Sequence, residues 1–252
     1  MLKTRIIPTL LWKNIGLVKG IGFDSWRIVG TVLPAIKVYN TRQVDELIIV
    51  DILATRENSE LDLRALEDFS AECFVPLTVG GGIKNIDDVR KILCAGADKV
   101  CINSALFETP ELVSEIAKKF GTQCVVGSID AKKVNGKYEC FSHSGTKSTG
   151  KEVVEWAKYL ESLGAGEILI TSIEKDGTME GYDLELIKKV TEAVKIPVIA
   201  SGGAGNYEDM YNALDKAKAS AVAAASIFHF TQQTPLEAKR YLSSKGIAVR
   251  KG

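Results

Sequence analysis

"DELIIVDILATRENSELDL" at residues 45–63 and "GEILITSIEKDGTMEGYDLEL" at residues 166–186 read as two copies of one unit. Each has a glutamate, then an apolar run, then a polar loop that closes on Asp-Leu. The likeness continues downstream: "TVGGGIKNIDDV" (78–89) matches "IASGGAGNYEDM" (199–210), and "KVCINSALF" (99–107) matches "AVAAASIFH" (221–229). All three matches fall at an offset near 120 residues. A long-period repeat of this kind marks a fold made from two equivalent halves.

Outward from the repeat, eight short apolar runs can be counted: 5–10, 46–51, 76–80, 98–102, 123–130, 167–172, 197–201 and 219–224. Amphipathic stretches such as "NIDDVRKILCAGA", "TPELVSEIAKKFG", "GKEVVEWAKYLESLGA" and "DLELIKKVTEAVK" lie between them. Strands alternating with helices imply parallel pairing through right-handed crossovers. Eight such units in 252 residues predict an α/β protein, a (β/α)8 barrel of one domain over 1–252, with half-barrels of about 1–120 and 121–252. A doubly wound sheet is the alternative, but it more usually needs fewer strands.

Thirty-two basic residues balance thirty-two acidic ones with no basic block, which argues against nucleic acid and acidic membranes as partners. No apolar run approaches the roughly 20 residues of a membrane span. The opening "MLKTRIIPTLLWK" lacks the pattern of a signal peptide. Five cysteines (Cys73, Cys94, Cys101, Cys124, Cys140) without a CxxC pair predict buried, reduced thiols in a cytoplasmic protein. His143 and His229 are far apart in sequence, so no metal site is expected.

In such a barrel the site lies at the C-terminal ends of the strands. Gly81–Gly82 follow the third run and Gly202–Gly203 the seventh; Asn103–Ser104 and Ala225–Ser226 follow the fourth and eighth. Glycines let backbone N–H groups approach phosphate oxygens, so two symmetric sets predict two phosphate sites across the mouth. Other strand ends bring Asp51, Asp130, Thr171, Ser172 and Ser201, and the sixth loop adds Asp176 and Gly177. An acid that closes an apolar strand is costly to desolvate and usually has a purpose. For Asp130 the plain alternative is a cap or a salt bridge to Lys132; Asp51 has a stronger one, as an orienter of loop groups. At the other end, alternation aims Arg5, Glu46, Lys99 and Glu167 into the base, either as a neutral ring or as ordinary salt bridges.

The whole chain resembles the cyclase subunit family of imidazole glycerol phosphate synthase. The resemblance rests on "VGGGI", "ADKVCINS", "SIDAKKVNG", "GAGEILITSIEKDGTMEGYD", "IASGGAG" and "SIFHF". It implies a barrel that works as a heterodimer with a separate glutaminase. Ammonia enters at the base, passes a four-charge gate and attacks a bisphosphorylated aminoimidazole-carboxamide ribulotide at the mouth. The products are imidazole glycerol phosphate and an aminoimidazole carboxamide ribotide, and no cofactor is implied. On this chain the resemblance gives the gate as Arg5, Glu46, Lys99 and Glu167, and the docking face as Asp98. It gives the catalytic acid as Asp130, and as substrate- or phosphate-binding residues Lys19, Ser144, Thr171, Asp176, Gly177, Ser201 and the two glycine–serine sets.

The end of the first strand departs from the family, as do Ser104, where Thr is usual, and the loop "WKNIGLVKG". "RIIPTLLWKNIGLVKG" (5–20) and "VVGSIDAKKVNGKY" (125–138) are equivalent strand ends, and the family carries Cys-Leu-Asp in the first. Here Thr9, Leu10 and Leu11 stand there, so the partner of Asp130 in acid–base catalysis is absent. Leucine cannot relay a proton. This pattern is similar to a branch associated with surface-polysaccharide biosynthesis, in which a third protein, an amidotransferase-type sugar enzyme, helps install an amidino group on an acetamido sugar. Three functions are therefore expected in order: an ammonia-channelling subunit for an amidino sugar, a true cyclase subunit of histidine biosynthesis, and a non-catalytic activator of a glutaminase.

Overall fold

The structure is a computed structural model and describes residues 3–13 and 16–250. Residues 1–2 and 251–252, at the ends of the expected half-barrels, and Asn14 and Ile15 of the first loop lie outside it. The eight runs form strands β1 (Arg5–Lys13), β2 (Leu47–Asp51), β3 (Leu77–Gly80), β4 (Lys99–Ile102), β5 (Val125–Val134), β6 (Glu167–Ser172), β7 (Val198–Ser201) and β8 (Ala221–Ala224). Each pairs in parallel with the next, from β1–β2 to β7–β8. Pairing of β8 with β1, Arg5 opposite Ala221, closes the barrel. The fold is the expected (β/α)8 barrel.

Alternation along the strands divides the apolar residues into two sets. Ile6, Leu10, Leu47, Ile49, Val125, Ile129, Ile168 and Ile170 face outward and pack under the helices in one large core. Ile7, Ile48, Cys101, Val126, Leu169, Ile199, Ala221 and Ala223 fill the interior as a second cluster. Several helices begin on side-chain caps that the sequence supplies: Asn206 with Asp209 and Thr234 with Glu237 form capping boxes, and Asn85 caps Ile86–Cys94.

Two departures from the sequence reading matter for the site. The first and fifth loops are β-hairpins that continue β1 and β5. Gly16–Ile21 pairs antiparallel with β1 and with Asp24–Gly30; Lys137–Ser142 pairs with β5 and with Lys147–Glu152. Consequently "GKE" at 150–152 ends a strand, and the helix starts only at Val153. The cysteines are all free, as expected, but only Cys101 and Cys140 are buried; Cys94 is exposed and Cys73 and Cys124 are intermediate. Cys94 sits in the last turn of its helix, on the face turned away from the barrel.

Candidate active site

The base of the barrel holds the four charges on one inward-facing level. The Arg5 guanidinium lies 2.8 Å from Glu46 and 2.9 Å from Glu167. Lys99 closes the ring at 3.0 Å from Glu46 and 3.3 Å from Glu167. The four pairs close a ring, and the same contacts are salt bridges that fasten the bottom of the barrel. Thr78, which sequence reading missed, belongs to it: its fully buried hydroxyl donates to Glu46 Oε1 at 2.8 Å. Its period-two alignment with Gly80 on β3 was the available signal. Beside the ring, Asp98 is exposed at the same end and accepts the Leu77 N–H at 2.8 Å. Phe74, on the loop before β3, is also at this end and 79% exposed.

Above the ring the interior is apolar, and the one sulfur there is kept neutral. Burial pushes the Cys101 thiol up to about 12. Asn103, just past the end of β4, is four positions on from Lys99, roughly 13 Å at the rise of a strand. Thr9 lies between these levels, and its hydroxyl is buried without a hydrogen-bond partner.

The strand ends open into a cavity of about 440 Å³. Nearly every residue expected at the mouth lines it. One wall carries Gly81, Gly82, Asn103 and Ser104; another carries Ser201, Gly202, Gly203, Ala225 and Ser226; Lys19, Asp51, Asp130, Ser144, Thr171, Asp176 and Gly177 complete it. Ser172 does not line the cavity and is buried behind it. Gly81 has φ +104, and a Cβ there would overlap the Asp51 carbonyl oxygen, so its backbone can lie where it does only as glycine.

Asp130 sits at the floor. The Asn103 amide nitrogen donates to its Oδ2 at 3.1 Å and is itself fixed by the carbonyls of Phe141 at 3.1 Å and Ser128 at 3.3 Å. The expected alternative of a bond to Lys132 does not form: Lys132 lies farther out along the hairpin, opposite Glu139, and its side chain is exposed. Burial, and then the charge of Asp176, lift the Asp130 carboxyl to about 7. Lys19 is 4% exposed, and burial lowers its ammonium to about 8 against the pull of Asp176. Asp51 plays the local part foreseen for it: Oδ1 accepts the N–H groups of Leu53 at 2.9 Å and Ala54 at 3.1 Å. Leu11 lines the same cavity and gives it only hydrocarbon.

The hairpins add residues with no advance signal. Phe23, Trp26 and His143 line the cavity. The Arg56 guanidinium lies 4.9 Å from the Trp26 ring centre and donates to the Ser144 carbonyl at 3.0 Å, tying three loops together over the rim. The His143 N–H donates to Ser104 Oγ at 2.9 Å. Among the described residues, no group of His, Cys, Asp and Glu could hold a metal ion. No helix among them is long and apolar enough to cross a membrane.

Comparison with known proteins agrees with this geometry. A family model described as "Histidine biosynthesis protein" matches residues 5–234. The chain is 49% identical over 250 residues to a Chlorobaculum parvum protein named imidazole glycerol phosphate synthase subunit HisF, covering 99% of this chain and 100% of the relative. Identity and coverage are the same for the protein of that name from Chlorobium limicola. A third, from Dehalococcoides mccartyi, is 49% identical over 250 residues, with 99% of each chain covered. With a closed parallel barrel, a glycine-lined mouth and similarity along nearly its whole length, the chain belongs to the histidine biosynthesis protein family.

Proposed function

We propose that this chain is the ammonia-using synthase subunit of a glutamine-dependent amidotransferase, with the cyclase chemistry of imidazole glycerol phosphate synthase. The observation that carries the reading is that both glycine–serine sets line one cavity with Asp130 between them. A ligand with a phosphate at each end fits that layout. Gly81, Gly82, Asn103 and Ser104 hold one phosphate; Ser201, Gly202, Gly203, Ala225 and Ser226 hold the other; Lys19, Ser144, Thr171 and Gly177 line the span between. Asp130 exchanges protons with the reacting nitrogens, a task suited to a carboxyl that titrates near neutrality.

Ammonia comes from a glutaminase docked at the base, where Asp98 and Phe74 are exposed next to the charged ring. The ring's salt bridges close the base to hydrated ions, and a small uncharged base passes when one of the pairs parts. Replacing Lys99 by methionine leaves Arg5 as the one ring cation for Glu46 and Glu167, with the Thr78 hydroxyl still on Glu46. In the complex, Lys99→Met is expected to lower product formed per glutamine hydrolysed several-fold and to leave turnover with added ammonium within about twofold. Paired glutamate and product assays measure that ratio.

The direct experiment is turnover of the bisphosphorylated ribulotide by the isolated chain in saturating ammonium. Steady release of both monophosphate products supports the cyclase reading, and none overturns it.

Leu11 favours a second reading, in which the same conduit serves an amidino-sugar acceptor in surface-polysaccharide biosynthesis with the help of a third protein. Leu11→Asp separates the two. A true cyclase already running without that acid gains less than about tenfold. A subunit turned to another acceptor starts near zero and gains on the order of 10²-fold or more, the usual worth of one positioned acid–base group. Ammonium-dependent assays of both proteins on the ribulotide read the difference.

A further inference from the structure

We infer that Asp176 supplies the second acid–base group of this site, taking the part for which β1 offers only Leu11. The inference rests on the cyclase reading and identifies the residue that completes it.

Four carboxylates line the cavity: Asp51, Glu108, Asp130 and Asp176. Asp51 is engaged with the N–H groups of Leu53 and Ala54, which hold its loop. Glu108 is exposed on the rim. Apart from Asp130, that leaves Asp176, on the loop after β6.

Its position is built by the hairpin that Leu11 leads into. The Gly22 N–H donates to the Asp176 carbonyl at 2.9 Å, and the Phe23 N–H donates to its carboxylate. Gly177, with φ +74, packs so tightly on the Gly20 carbonyl that a Cβ would overlap it. Hairpin and loop thus interlock backbone to backbone, and the interlock brings the buried Lys19 toward Asp176. The strand that lost the acid leads into the hairpin that clasps its replacement.

The electrostatics make the two carboxyls unequal. Burial raises both; the charge of Asp176 raises Asp130 further, whereas Lys19 and the Phe23 N–H favour ionised Asp176. One proton on the pair therefore rests on Asp130. The other titratable groups facing the cavity are His143, from the hairpin after β5, Lys84, beyond Gly82, and Cys101, inside the barrel on β4, with Asp51 and Glu108 as above.

In each turnover the attacking nitrogen loses protons to Asp176 as base, and the departing oxygen and nitrogen receive protons that Asp130 passes on. Ammonia and the bisphosphate enter; two monophosphates and one water leave. No electrons are exchanged, and both carboxyls return to their starting states.

Two measurements test the assignment. With the isolated chain, ammonium and the ribulotide, Asp176→Asn should lower kcat by about 10²–10⁴-fold with KM within about threefold. It should also erase the rise of kcat with pH, because that limb reports the base becoming ionised. Asp176→Glu should keep the limb. A change confined to KM, with the profile unchanged, would mean that Asp176 only holds the hairpin, and the inference fails. The second measurement needs no acceptor: carbon-13 carboxyl titration of the isolated chain should show one aspartate near pH 7, lost in Asp130→Asn and shifted down in Asp176→Asn. An unmoved midpoint overturns the pairing. A shifted midpoint in a chain that does not turn over the ribulotide overturns the cyclase reading and, with it, this role for Asp176.

Discussion

Replacing Asp130 by asparagine will reduce ammonium-dependent turnover by about 10²–10⁴-fold and, at neutral pH, make the protein more stable. The first effect is the usual consequence of removing a positioned acid–base group. The second follows from its environment. The carboxyl titrates near 7 in the fold and near 3.9 in the unfolded chain. Below pH 4 the proton is bound in both states and the group has no effect on stability. Between about pH 4 and 7 the folded state holds a proton that the unfolded state has released, so stability falls as pH rises. Above 7 the full cost of a charge recessed beside Asp176 is present. Asparagine keeps the Asn103 contact without that charge. Thermal melts of the two proteins should therefore coincide near pH 4 and separate progressively up to pH 7, with the variant higher. An equal gap at both ends of the range would show that the carboxyl is not held in its neutral form.

Lys239→Met will destabilise the fold by about 3–5 kcal/mol, the typical result of leaving one member of a buried ion pair alone. Lys239 and Asp45 are 5% and 3% exposed, and their charged atoms are 2.8 Å apart. The second Asp45 oxygen accepts the Ile6 N–H at 2.9 Å, so the pair ties the last long helix, Pro235–Ser244, to the starts of β1 and β2. Methionine matches the lysine stem but leaves the carboxylate with one backbone donor. For a chain of this length the loss corresponds to a fall of roughly 6–20 °C in Tm. Adding Asp45→Asn should recover more than half of it, because the isolated charge is then gone. Denaturant melts of the two variants and the wild type decide it; a single variant within 1 kcal/mol of wild type would rule out the stranded charge.

The eight barrel strands were legible because parallel strands are buried on both faces and leave short, dense apolar runs. The charged ring was legible for a different reason. Period-two alternation places Arg5, Lys99 and Glu167 on the inner face whatever the loops do, and Glu46, just before β2, follows the same alternation. The hairpins were not legible. "KSTGKE" is exposed along nearly its whole length, so no apolar pattern marks it as a strand, and "DSWRIVG" recesses only Trp26 and Val29, which are three positions apart and break the period of two. Contacts between distant loops were equally hidden. Trp26 and Arg56 meet over the rim, and Lys239 meets Asp45 from 194 positions away. Each is fixed by closure of the barrel, which no local window contains. Asp51 shows the reverse case: its local role as a loop orienter could be read from neighbouring residues alone, and it is the role seen.

Because β1 and β5 run unbroken into their hairpins, much of the mouth is ordered when the chain folds. A loop that becomes ordered only around its ligand loses backbone entropy at that moment, about 1–2 kcal/mol for each residue fixed. Here the ladder bonds Leu11–Val18 and Asp130–Phe141 have already fixed those segments. Ligand binding therefore carries a smaller conformational penalty, and the heat released on association reports the contacts made at the mouth more than the reorganisation of the chain. The rigidity also limits what this mouth can become. A new acceptor has to be fitted by exchanging side chains on a fixed frame, one position at a time.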